Sequence, residues 1–266
     1  MTGLRHAVRV VRYTALVGIQ DRLAVLTWQT WVFGYLLRMI TQVLFFALIG
    51  LLLGSTEAMH YLFIGNVAAI GALTSLGAAP DTADERYQGT LPLQVAAPSS
   101  LLLVYSGRSL LHMSEALVIS LSSLIALAPI IDYPYSINML YAIPFLATIV
   151  VATYGFAIFI TAIVIRWVHW GNTVFYLVFW TMAAITGVNV RVEFFPGWVQ
   201  AIANALPLTH GLAAVRLVLA DGFAAEAFRL AGVELLVGLA WFAAALFGFK
   251  VFVEGGRRDG SIDLTE

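Results

Sequence analysis

Residues 140–165 read Leu-Tyr-Ala-Ile-Pro-Phe-Leu-Ala-Thr-Ile-Val-Val-Ala-Thr-Tyr-Gly-Phe-Ala-Ile-Phe-Ile-Thr-Ala-Ile-Val-Ile, without one Asp, Glu, Lys or Arg. A helix crosses the hydrocarbon core of a bilayer with roughly 20 such residues. Working outward, runs of the same kind bounded by polar or Gly/Pro clusters place spans at 31–53, 59–79, 101–128, 140–165, 173–190 and 229–252. The composition agrees: of 266 residues, 61% are hydrophobic and 11% charged, against about 25% charged in soluble domains. That excludes an ordinary soluble enzyme. The absence of cysteine excludes disulfides, thiolate metal sites and thiol redox chemistry. A net charge of -1 gives no reason to expect a nucleic-acid partner. The expected fold is an all-α membrane protein with six transmembrane helices in residues 31–253, preceded by an interfacial segment at 1–30 and followed by a cytoplasmic tail at 254–266.

The second span is less apolar than its neighbours, because Gly65, Asn66, Gly71, Thr74, Ser75 and Gly77 interrupt it. Small residues let helices pack closely in lipid, so this span is expected in the interior of the bundle. Orientation follows from the cations. With the N-terminus inside, Arg5, Arg9, Arg12, Arg22, Arg86, Arg108, Arg166, Lys250, Arg257 and Arg258 are cytoplasmic, while only Arg191, Arg216 and Arg229 lie outside and Arg38 falls within the first span. The positive-inside rule then places both termini in the cytoplasm. The first 30 residues carry four arginines and no short apolar core before a small-residue cleavage site, so a cleavable signal peptide is not expected. On a helix, Arg5, Arg9 and Arg12 share one face while Leu4, Val8, Val11 and Ala15 occupy another. This is the pattern of an amphipathic helix lying on the inner leaflet, either as a topology anchor or with its arginines on phosphates or a partner.

The chain has no G-x-x-x-x-G-K-[ST] loop, so it is not expected to hydrolyse ATP by itself through a P-loop. It has no H-E-x-x-H and no G-x-S-x-G either, and its five histidines are scattered over different segments, so neither metal nor catalytic residues are expected. Of the ionisable groups inside the spans, Arg38, His112, Glu115 and Glu234 are the candidates for a proton or ion path. His112 and Glu115 lie three apart, on one helix face, and form either a proton relay or a structural pair. Arg38 either snorkels to the inner surface or pairs with an acid on another helix.

The longest polar stretch between spans is Pro80-Asp81-Thr82-Ala83-Asp84-Glu85-Arg86-Tyr87-Gln88-Gly89-Thr90-Leu91-Pro92-Leu93. Thr82-x-x-Glu85 is a capping box, and Asp81, Asp84 and Glu85 suit the positive end of a helix. A short charged helix is expected to begin here and to stop near Gly89 to Pro92. Held between two spans, it suits the transmission of force from a cytoplasmic partner; a solvated loop is the plainer alternative.

Glu85-Arg86-x-x-Gly89-Thr90-Leu91, followed by Ala97-Pro98-Ser99 and Gly107-Arg108, resembles the E-R-x-x-G-T-L signature of the ABC-2 type permeases, the membrane subunits of ATP-binding cassette exporters. A second resemblance is Phe195-Pro196-x-Trp198-Val199-Gln200 leading to Leu206-Pro207-Leu208-Thr209-His210-Gly211 and Arg216. The Pro-Leu-Thr-His wording is similar to drug, antibiotic and lipo-oligosaccharide exporters. The resemblance implies that segment 81–93 is a coupling helix docking on an ATPase subunit, with Asp84, Glu85, Arg86, Gly89 and Thr90 at the transmission site. It implies that the N-terminal helix, with Arg5, Arg9 and Arg12, touches the same subunit. Pro92 departs from the acidic residue of many members and leaves the end of the coupling helix open.

The stretch 191–228 is too long for a turn and is interrupted by Pro196, Pro207 and Asp221-Gly222. Its many apolar residues favour a broken hairpin dipping back into the outer leaflet over residues 194–222, and the resemblance implies re-entrant outer helices there. Trp198 also suits an aromatic belt at the headgroups. Phe175, Phe179 and Trp180 of the fifth span, with Phe195, Trp198, Pro207, Thr209 and His210, are the expected substrate path and outer gate. Aromatic rings offer tolerant contact to a bulky amphiphile. Helix packing explains any single ring equally well. The functional expectation is an ATP-driven export permease for an amphipathic substrate in a bacterial inner membrane. It is expected to pair with a second permease copy and with two copies of an ATPase subunit that bind ATP and Mg, and to hold no cofactor itself. A secondary carrier without ATP and a membrane enzyme acting on lipid are the competing readings.

Overall fold

The computed structural model describes residues 2–25, 27–77, 79, 100–166 and 170–259. Helices make up the fold, with no strand among the described residues. α1 (Thr2–Val25) precedes a π-helical segment, Thr30–Leu36, that runs directly into α2 (Leu37–Leu52). α3 (Thr56–Ser75) follows, then α4 (Leu101–Arg108) and α5 (Leu110–Leu127), which together make one long rod. α6 (Ile137–Arg166), α7 (Gly171–Ile185), α8 (Gly197–Ala205), α9 (Thr209–Asp221) and α10 (Ala225–Asp259) complete the order.

Five stretches are long and apolar enough to cross a membrane: Thr30–Leu52, Thr56–Ser75, Leu101–Leu127, Ile137–Ile165 and Ala225–Val251. α8 and α9, bent by 85° at their junction, count as a sixth if taken as one broken span. The chain is therefore a multi-pass membrane protein. The expected span at 173–190 is a correction: its helix is only Gly171–Ile185, because Gly187 adopts φ +89 and residues 186–190 leave the helix in a series of bends. At 1.5 Å per residue, α7 is about 22 Å long, shorter than a bilayer core of about 30 Å.

The second span is interior, as its small residues lead one to expect. α3 is 83% buried over its most apolar window, against 22% for both the first and last spans. Phe63, Val67, Ala68, Ile70 and Leu76 join Ile119 and Leu124 of α5 and Phe145 and Ile149 of α6 in one continuous core. α6 carries Pro144 within its first turns and continues unbroken to Arg166. α10 packs most extensively on α6. Because successive spans alternate in direction, the bundle has two ends: one carries α1 and the start of α4, the other the start of α3 and the α8–α9 hairpin.

Candidate functional site

At the first end, α1 lies across α4 in very close contact. A Cβ added at Gly18 would sit 2.7 Å from the Arg108 carbonyl oxygen, and one at Gly107 would collide with Thr14 and the Val11 backbone. Only paired glycines let the two backbones come this near. Ion pairs secure the crossing. Arg108 donates to Asp21 at 2.7 Å, and Arg22 makes a two-pronged contact with Glu115 of α5, Nε at 3.2 Å and Nη2 at 3.1 Å. Glu115 is buried, and it also accepts a hydrogen bond from Trp31 Nε1 at 3.3 Å. Burying a carboxylate is tolerable only when it is paired in this way. Arg22 lies 5.7 Å from the centre of the Tyr35 ring, and Arg38 lies 5.8 Å from the same ring.

This cluster corrects the pairing read from the sequence. His112 Nδ1 is 3.7 Å from Glu115 Oε2, outside hydrogen-bond distance, and Arg22 is the principal partner. Arg38 pairs with no acid among the described residues; it is exposed and lies beside the Tyr35 ring. Val8, expected on the apolar face of α1, is exposed, since the seat on α4 is made by Val11, Thr14 and Gly18. Arg5, Arg9 and Arg12 are exposed on the face turned away from that seat. Asp84, Glu85, Arg86, Gly89 and Thr90, with the whole segment 81–93, lie outside the described residues, as does the end of the tail expected at 254–266.

At the second end, the α8–α9 junction interrupts the helical ladder at Leu206-Pro207-Leu208, with Leu208 at φ +92. A broken helix exposes carbonyls on one side and N–H groups on the other. Both sets are satisfied from within the protein. Thr209 Oγ1 donates to the Ala203 carbonyl, His210 Nε2 meets that of Asn204 at 3.2 Å, and Trp241 Nε1 of α10 donates to that of Ala205 at 2.7 Å. On the other side Glu234, also from α10 and fully buried, accepts the Leu208 N–H and the Gly211 N–H, the latter at 2.9 Å. The carboxylate sits at the positive end of α9, where the helix dipole favours it. One span thus supplies a donor and an acceptor for the two halves of the break.

A second fastening holds α9. Arg216 donates to the Gly187 carbonyl at 2.8 Å, the Tyr61 carbonyl at 3.1 Å and the Val188 carbonyl at 3.3 Å, with its guanidinium 3.6 Å from the centre of the Tyr61 ring. Tyr61 Oη donates to Gly187 at 2.8 Å, and Asn66 Nδ2 reaches Asn189 Oδ1 at 3.0 Å. A Cβ at Gly65 would strike the Val188 carbonyl, so this glycine admits the loop against α3. The bends at 186–190 therefore place their carbonyls where the half-buried Arg216 needs acceptors.

The expected gate residues divide into groups. Pro207 and Thr209 are buried in the break, and His210 is half-buried there. Phe195 is half-buried before α8, and Trp198 is 69% exposed on it. On α7, Phe175 is half-buried and Trp180 is 51% exposed, but Phe179 is 4% exposed and packs in the core. Sequence reading missed Arg22 as the partner of Glu115, the capping roles of Glu234 and Trp241, and Gly107-Arg108 as the seat of α1. The Gly18 and Gly107 pair was the one visible signal for the last of these.

Among the described residues no cluster of His, Asp or Glu is arranged to hold a metal ion. No curated protein and no solved structure matches the chain. A profile of the ABC-2 type transporter family matches residues 14–220, which run from the middle of α1 to the end of α9; Glu234 and Trp241 of α10 lie beyond the matched stretch. With that match over more than half of its length, the chain belongs to the ABC-2 type transporter family, whose members are the membrane permeases of ABC transporters.

Proposed function

We propose that the chain is the permease of an ATP-driven exporter for an amphipathic substrate such as a drug, an antibiotic, a lipid or a glycolipid. A permease of this family works with an ATPase subunit. Here two ATPase subunits, which hold ATP and Mg, serve two permease copies in a bacterial inner membrane. The observation that carries the reading is the seating of α1: its glycine crossing on α4 and the Arg22–Glu115 pair fix it to the third span, while Arg5, Arg9 and Arg12 remain exposed on its other face. A basic helix held this firmly transmits a push received at the cytoplasmic surface into the bundle. On this reading the α1 end is cytoplasmic, both termini lie inside, and Asp84, Glu85, Arg86, Gly89 and Thr90 form the neighbouring coupling contact.

When the ATPases close on ATP, α1 and the coupling segment move together and the third span follows. The capped hairpin at the other end supports a gating role, since its backbone is open inside the membrane thickness yet needs no water. Thr209 and His210 hold the bend, while Trp198 and Trp180 present rings to the amphiphile or the headgroup region. Glu115 is engaged by Arg22 and Trp31, which argues against a proton relay through His112.

The test is reconstitution of the permease with its ATPase in proteoliposomes, followed by ATP turnover and substrate export. Glu85→Ala, Arg86→Ala and the triple replacement of Arg5, Arg9 and Arg12 by Gln are each expected to lower substrate-stimulated turnover at least tenfold. Unchanged turnover and export in all three overturns the assigned docking face.

A further inference from the structure

The first span carries a charge, Arg38, that pairs with no acid among the described residues. Arg38 lies eight residues inside Thr30–Leu52, and the residue is exposed. Its guanidinium carbon lies 5.8 Å from the centre of the Tyr35 ring. Thr41 and Gly34 are exposed on the same side of the span, and Gln42 is half-buried beside them. A Cβ at Gly34 would meet nothing within 4 Å. One turn and more beyond, the exposed surface becomes apolar at Phe45 and Leu48. A guanidinium turned to acyl chains is costly, and such residues face a wet cavity or a partner charge.

The neighbouring π-helical segment sets what surrounds Arg38. Its wide turns keep Trp31 and Tyr35 on the bundle side, where Trp31 reaches Glu115 and Tyr35 lies between Arg22 and Arg38. Long π segments are uncommon and concentrate at functional sites. Glu115, which Trp31 reaches, is already held by Arg22 through two hydrogen bonds. The polar strip thus offers one positive charge, a hydroxyl and a carboxamide, with an apolar wall further along the helix.

We infer that Arg38 is a cargo-binding residue that recognises the anionic head, a phosphate or a carboxylate, of an amphiphile whose tail lies along Phe45 and Leu48. A guanidinium matches either anion with two parallel N–H groups. The inference rests on the transport reading above and narrows its substrate class to anionic amphiphiles. Because Arg38 and Arg22 share the Tyr35 ring, the occupied site also lies one ring away from the pair that holds α1.

The experiment measures binding alone and needs no ATPase. The full chain in nanodiscs of zwitterionic lipid is titrated by calorimetry with dodecyl phosphate, and with dodecyl maltoside as the neutral amphiphile of equal chain length. Empty nanodiscs give the partitioning background. A saturable dodecyl phosphate signal is expected, weakened at least tenfold in Arg38→Gln and less than threefold in Arg38→Lys, with no comparable signal for the maltoside. Equal binding of the neutral amphiphile, or unchanged binding in Arg38→Gln, overturns the inference. A further titration in nanodiscs containing phosphatidylglycerol separates the sources of the anion. Persistence of the signal supports a cargo site, and its loss assigns Arg38 to bulk lipid headgroups and overturns the cargo role. Failure to couple with an ATPase would refute the transport reading while leaving this binding result intact.

Discussion

Two glutamates are buried among the described residues, one at each end of the bundle, and they are satisfied by opposite means. Glu115 faces a cation from another helix, 93 positions away in the chain. Glu234 faces the backbone of a broken helix and meets no cation among the described residues. An ion pair between separate elements is a fastening that competing charge or movement can open. A carboxylate serving as a helix cap is part of the backbone's own hydrogen-bond complement. The α1 end is therefore held by contacts between separate elements, and the hairpin end by a cap on its own backbone.

The comparison is broken most severely at Glu234. Glu234→Ala leaves the Leu208 and Gly211 N–H groups without an acceptor and is expected to cost about 3 kcal/mol, read as a lowered thermal midpoint of the purified chain. Glu234→Gln keeps one acceptor oxygen and is expected to lose less than half of that. An equal loss in both variants would show that charge, rather than the cap, holds the hairpin. Next comes Arg216→Ala, which removes three hydrogen bonds to carbonyls and the stacking on Tyr61. We expect about 2 kcal/mol, with faster proteolysis confined to residues 186–190.

Glu115→Ala tests the α1 end. Arg22 is partly exposed and regains water when its partner is lost, so the expected loss is about 1 kcal/mol, with protease cutting between α1 and the π-helical segment as the readout. The charge-swapped pair Arg22→Glu with Glu115→Arg should recover part of that protection, whereas the swap at Glu234 has no partner to recover with. Trp198→Ala is expected to change stability by under about 0.5 kcal/mol while reducing export in the reconstituted complex. A large fall in stability would make Trp198 a packing residue and remove it from the gate.

Much of this architecture was legible in the order of residues. Apolar length located the long spans, small residues marked the interior helix, and the prolines at 196 and 207 with Asp221-Gly222 marked the hairpin. Long-range pairings were not legible. Glu115 has a histidine three residues away, and local spacing favours that neighbour, but its partner comes from α1 because the glycine crossing brings Arg22 to the spot. Glu234 reads as an isolated acid in an apolar span until the fold sets it against the break at Leu208. The fifth span was overestimated because apolar residues continue past Gly187, where the carbonyls turn aside for Arg216.

The capped break also sets an order of manufacture. Thr209 and His210 emerge from the ribosome together with the hairpin, but Glu234 follows Leu208 by 26 residues, and Trp241 comes later still. At ordinary rates of synthesis the bend stays half-satisfied for about 1 to 5 s. During that interval the hairpin has no reason to leave the wet side of the membrane or the shelter of the insertion machinery. The last span completes the hairpin as it enters, so a chain truncated before α10 would expose a raw helix break and carry its own signal for disposal.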